Sequence, residues 1–255
     1  MKSKFTIIIF IALGFLGFAK YASAQTSTEV KNKILIAPFN PDLYLSDAEQ
    51  DIMRQTNKTP DQYREFFRKT IDLKILGQLQ TVMPAYSLGQ DTTQKAKREL
   101  AIFYRQCGYK YDNAVGKGIK RDDDKKKGFS LSKKKESEVP GYITTRGDSK
   151  FMNAEISDTA FYHHLLNEYQ SNYMVSINQM EIKTNYSSCI DIANKVYRRE
   201  VILHYSIYNE KGIVIDGNFL VAYFPSNSNK DTDIAERTFP EIAEMLKSQL
   251  QSIVK

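Results

Sequence analysis

The 255-residue chain is 42% hydrophobic, 26% charged and 12% aromatic, with 12 Gly, 7 Pro and two Cys. Those proportions exclude a collagen-like, Pro/Gly-rich disordered or disulfide-dense protein. The formal charge is +6, but the excess is local: from Lys117 to Lys135 nine Lys/Arg stand against Asp122, Asp123 and Asp124, so the basic balance describes one segment rather than a basic folded surface.

Residues 1–24 read as a secretory signal. Lys2 and Lys4 precede a 15-residue apolar run, Phe5–Ala19, and Ala22-Ser23-Ala24 offers small residues to a peptidase, with Gln25 as the expected mature start. As a helix the run would reach roughly 22 Å, short of the ~30 Å hydrocarbon core. No Cys lies near the cut, so no lipid anchor is expected there, and no later apolar run reaches 18 residues. Without residues 1–24 the chain keeps 33 basic and 30 acidic residues. Export would place Cys107 and Cys189 where a disulfide is permitted, worth up to ~4 kcal/mol; two buried free thiols are the equal alternative.

Lys33–Phe39 is an unbroken apolar run closed by Pro38 and Pro41, the pattern of a strand covered on both faces. Ser46 with Glu49 predicts a capping box for a short helix. Thr59, Pro60 and Gln62 predict a second helix start, followed by Tyr63, Phe67, Ile71, Ile75, Leu79 and Val82 at helical spacing and a stop at Pro84. A third helix is expected from Asp91 and Gln94, burying Ala96, Leu100, Phe103 and Cys107. Residues 110–150 carry too little apolar area to offset chain entropy and read as a long mobile excursion, with a transient strand near Tyr142–Thr144.

Order is expected to resume at Ser157, with Phe161, Leu165 and Tyr169 on one helix face, His164 beside it and His163 turned away. A strand follows from Tyr173 to Thr184, and a phase shift in its apolar set predicts a bulge near Asn178-Gln179. Val201, Leu203, Tyr205 and Ile207 alternate; after Asn209-Glu210-Lys211-Gly212 so do Ile213, Ile215, Phe219, Val221 and Tyr223, which predicts an antiparallel hairpin. A last helix capped by Thr238 and Glu241 would bury Phe239, Ile242, Leu246, Leu250 and Ile253. The expected fold is α/β (α+β): a mixed sheet with an antiparallel hairpin, helices packed on it, and one long insertion in a single domain over 25–255.

The opening strand Lys-Ile-Leu-Ile-Ala-Pro-Phe, the later helix leading into Asn-Tyr-Met-Val-Ser-Ile-Asn-Gln-Met-Glu-Ile, the hairpin around Tyr-Asn-Glu-Lys-Gly-Ile-Val-Ile-Asp-Gly and the terminal helix resemble the periplasmic α/β domain of CsgG, LpoB and the amino-terminal domain of TolB. The likeness covers residues 33–39 and about 157–253. It implies an envelope protein that works by binding partners. Residues 40–150 depart from that layout, and the lipidated Cys of LpoB-like and CsgG-like proteins is missing.

Catalytic templates fail on spacing. His163 and His164 would point about 100° apart on a helix, a poor chelating pair. His204 lies on a strand beside Ser206, opposite Leu203 and Tyr205, and reads as structural. Gly116-Lys117-Gly118 lacks the rest of a phosphate loop, and no G-x-S-x-G elbow exists. Arg146-Gly147-Asp148 matches an adhesion tripeptide but reads as a turn; the sequons at Asn57 and Asn185 follow a bacterial-style signal and are not expected to carry glycans. No cofactor or metal ligand set is expected.

The reading is a non-enzymatic exported module of the periplasm, binding an envelope protein or an anionic envelope polymer. Its candidate contacts are Lys125, Lys126, Lys127, Lys133, Lys134 and Lys135. Nucleic acid ranks last as a partner, for want of an aromatic-interleaved platform. The rivals are an exported hydrolase assembled in three dimensions from His163, His164, Asp158 or Cys189, and a structural surface component.

Overall fold

The structure, a computed structural model, describes residues 32–116 and 150–254. Its eight strands are β1 (Ile34–Ala37), β2 (Tyr44–Ser46), β3 (Ala85–Ser87), β4 (Cys107–Asn113), β5 (Lys150–Ile156), β6 (Tyr173–Asp191), β7 (Val196–Tyr208) and β8 (Val214–Pro225). The helices are α1 (Glu49–Thr56), α2 (Pro60–Leu79), α3 (Gln94–Gln106), α4 (Thr159–Glu168) and α5 (Asp231–Ile253). The main sheet runs β3-β1-β6-β7-β8, parallel through its first three strands and antiparallel after β6. β2 extends the line of β1, pairing Met180–Ile182 further along β6. The architecture is mixed α/β, as the interleaved periodicities predict.

Both faces of the sheet are covered, which explains the unbroken apolar character of β1. Ile34 and Ile36 pack with α2 and α5, while Leu35 and Ala37 pack with α3 and α4. The α2 stripe Tyr63, Phe67, Ile71, Ile75 and Leu79 is buried as its spacing requires. Thr59 and Gln62 form the expected reciprocal capping box. Along β6 the register shifts between Ile177 and Gln179, the bulge the phase change predicts.

Other expectations are corrected. Ser46 does not cap α1: its Oγ accepts from the Ala48 N–H at 3.1 Å, and Glu49 is drawn away to Tyr63 and Arg64, each at 2.5 Å. The α3 cap is Thr93, because Asp91 turns back to accept from the Thr93 N–H at 2.7 Å. Helix α5 begins at Asp231, not Thr238, and carries Pro240 in its interior. Thr238 bonds backward to the Ile234 carbonyl at 2.8 Å rather than forward to the chain at Glu241. Pro240 is tolerated there because it faces solvent, where water can serve the carbonyl it leaves without a donor.

In β8 the buried set is Leu220, Ala222 and Phe224, opposite in phase to the predicted Phe219, Val221 and Tyr223. Asp216 and Asn218 share the inward phase, and Asp216 accepts the buried Tyr205 hydroxyl at 2.7 Å. The excursion expected from residue 110 begins and ends in ordered chain. Cys107–Asn113 pairs antiparallel with Lys150–Ile156, and Phe151 and Ala154 are fully buried well before Ser157. This ribbon lies over β6, β7 and β8 without joining their ladder.

Candidate functional site: a polar network beneath the ribbon

The β6 bulge and the alternation of β7 turn Asn178, Gln179, Glu181, His204 and Ser206 toward β4 and β5, and all five are buried. Buried polar groups require partners, and here the ribbon's backbone supplies several. The Met152 N–H donates to His204 Nδ1 at 2.9 Å, and Asn178 Nδ2 donates to the Met152 carbonyl at 2.8 Å. The Tyr208 hydroxyl donates to the Ala154 carbonyl. From Asn178 a chain runs through Ser206 Oγ to Asn153 Oδ1, each step 2.8 Å, and on from Asn153 to Asp112 at 3.0 Å. Tyr111 donates to Gln179 Oε1 at 2.9 Å. Because β5 is outside the ladder, its inward backbone groups are satisfied by side chains instead of a neighbouring strand.

His204 Nε2 lies 3.2 Å from Glu181 Oε1, and both residues have zero exposure. A backbone N–H can only donate, so Nδ1 carries no proton and the neutral imidazole holds its hydrogen on Nε2, directed at Glu181. Burial pushes the Glu181 carboxyl upward, but His204 and the Lys183 ammonium together hold it below the usual carboxylate range. Tyr111 and Phe219 pack their rings on the imidazole, at 6.1 and 5.8 Å between centroids. A catalytic His–carboxylate pair keeps its second nitrogen for substrate. Here that nitrogen is occupied by the Met152 amide, so the pair clamps the ribbon to the sheet.

A second polar cluster sits beside an open cleft of about 470 Å³ along β3, bordered by Leu76, Gln80, Tyr86, Ser87, Gln90 and Thr93. Asp72 of α2 accepts from Ser87 Oγ and Gln90 Nε2, each at 2.7 Å, and Ser87 Oγ accepts from the Gly89 N–H at 3.0 Å. Burial raises the Asp72 carboxyl against these bonds. A Cβ on Gly89 would stand 2.6 Å from Asp72 Oδ2 and 2.7 Å from Pro38 Cγ, so glycine permits this closure. The cluster fastens the β3–α3 connection to α2.

The four residues of the hydrolase expectation are not brought together. His163 and His164 are exposed on α4, with His164 Nε2 3.7 Å from Glu99. Asp158 caps α4 by accepting the Phe161 N–H at 2.9 Å. Cys189 is exposed on the outer reach of β6, its Sγ 3.5 Å from the Val196 carbonyl. Both cysteines are free, and burial pushes the Cys107 thiol up to about 12. Gly116 faces the Asp216 carboxylate, an arrangement that opposes phosphate. Asn57 is the left-handed C-cap of α1 (φ 53°). Lys125, Lys126, Lys127, Lys133, Lys134, Lys135, Tyr142–Thr144 and Arg146-Gly147-Asp148 lie outside the described residues.

Sequence reasoning placed His204 and Ser206 on one face but did not connect them to Glu181, Asn178 or Met152. The available signal was local: a carboxylate between Met180 and Ile182, and an imidazole between Leu203 and Tyr205. Among the described residues no group of three or more His, Cys, Asp and Glu converges on a metal position, and no helix is long and apolar enough to cross a membrane. Searches against family models, curated proteins and solved structures found no match.

Proposed function

We propose that the protein is an exported, non-enzymatic binding module of the bacterial cell envelope, working in the periplasm, whose lysine-rich segment takes an anionic partner. One observation carries the reading. Asn113 and Lys150 are paired at the end of the ribbon, so the chain holding Lys117–Lys135 leaves and re-enters the folded frame at one place. The polar side chains under the ribbon are engaged in seating it. Between those paired strands the sequence concentrates a net charge of +6 from Lys117 to Lys135, the complement of an anionic partner. The signal-like residues 1–24, and the resemblance of residues 33–39 and about 157–253 to the CsgG, LpoB and TolB domains, support export and a partner-binding role.

Charge attraction of this kind is screened by salt. The full chain should bind phosphatidylglycerol vesicles or soluble polyphosphate but not phosphatidylcholine vesicles, and the two anionic probes separate a lipid surface from a polymer. Replacing Lys125, Lys126, Lys127, Lys133, Lys134 and Lys135 together by Glu should abolish binding, as should roughly 0.5 M salt. Equal binding by the variant, or no binding of either probe, would contradict the proposal.

A further inference from the structure

The joint between ribbon and sheet is built around a nitrogen that must stay unprotonated. Met152 N–H points at His204 Nδ1, and a backbone amide has no second role to adopt. A proton on Nδ1 would set donor against donor in a site with zero exposure. We infer that His204 is an acid-sensitive latch for the β4–β5 ribbon: protonation weakens the Met152 contact and shifts the ribbon toward an undocked state. This goes beyond the proposed function and does not depend on what the lysine-rich segment binds.

The surroundings set the sign. Glu181 on β6 favours an imidazolium and Lys183 on the same strand opposes it. On β4, Tyr111 faces the imidazole edge-on, and Asp112 is engaged with Asn153 of β5. Glu200 lies four residues away on the same face of β7, with Tyr223 of β8 paired opposite it, and Phe219 of β8 packs on the ring. The docked ribbon requires a neutral ring, whereas an undocked ribbon frees Nδ1 to take a proton. Protons therefore bind the undocked state more tightly, and docking weakens as pH falls. Phe151, buried against Gly217, together with the Asn178 and Tyr208 bonds, sets the resting balance on which the proton acts.

Hydrogen exchange of the full chain, corrected for intrinsic rates, tests the latch. An exposed imidazole titrates near 6.5, so the opening constant for amides of β4 and β5 should rise about 30-fold from pH 7.5 to 5.0, at up to tenfold per unit for one linked proton. Amides of β6 and β7 should not follow. His204→Asn keeps an acceptor oxygen near the Nδ1 position without a titratable ring and should remove the rise. His163→Gln with His164→Gln should leave it intact. Should H204N fail to fold, nitrogen chemical shifts of wild-type His204 decide: the Nε2–H tautomer at neutral pH, titrating in step with Met152 exchange, is expected. Ribbon opening independent of pH, an equal rise in H204N, opening shared by the whole sheet, or an Nδ1–H tautomer would each overturn the inference.

Discussion

Gly217 has no room for a side chain, because a Cβ there would lie 2.4 Å from the Phe151 ring. The ring is fully buried and cannot swing into solvent, so Gly217→Ala should cost about 1–3 kcal/mol, read as a lowered urea midpoint. Glu181 gives a pH signature. Its carboxyl is held below the ordinary value of 4.5, so its contribution to stability is complete above that value and is lost as pH falls through the lower folded one. Glu181→Gln should flatten the acid limb of the stability profile and cost about 1–3 kcal/mol at neutral pH, since Lys183 and His204 lose a charged acceptor. An unchanged acid limb would remove Glu181 from the clamp. His204 was legible as a strand residue sharing a face with Ser206. Its partners were not, because the register that sets Gln179 opposite His204 is a property of the paired strands, and Met152 contributes backbone atoms, which leave no trace in side-chain pattern.

Helix α2 was legible nearly end to end: its apolar stripe has one period, and Thr59, Pro60 and Gln62 fix its start. Thr59→Ala should remove the bond from the Gln62 N–H to Thr59 Oγ1 and cost about 1 kcal/mol in thermal or denaturant unfolding. Helix α5 was misread because Thr238-Phe-Pro240 imitates a helix start. Its true first turn is marked by Asp231 and Asp233, and Asp231 is paired with Lys58. Pro240→Ala restores an amide donor toward the Glu236 carbonyl at an exposed position, and should stabilise the protein by about 1 kcal/mol or more. A loss of stability would show that the chain depends on the proline. The ribbon escaped prediction for a different reason. Cys-Gly-Tyr-Lys-Tyr-Asp-Asn has only three apolar residues in seven and pairs with β5, a partner far along the chain that no local pattern announces.

At the scale of the molecule, the sheet order follows from covering. β1 reads as a two-sided strand and lies between parallel neighbours with helices on both faces, while the β7–β8 hairpin closes the antiparallel side. What the periodicities left open was the part of the second face beyond α3 and α4, and the structure fills it with a ribbon held largely by polar side chains. The central claim is that the frame folds by itself while the lysine-rich segment supplies the binding. It is tested most directly by deleting residues 117–137, which leaves the Val115–Gly217 bridge in place, and measuring unfolding temperature and phosphatidylglycerol-vesicle binding on the same preparation. The account predicts a midpoint within about 2 °C of the full chain, with salt-sensitive binding gone. A collapsed midpoint, or binding that survives the deletion, would contradict it.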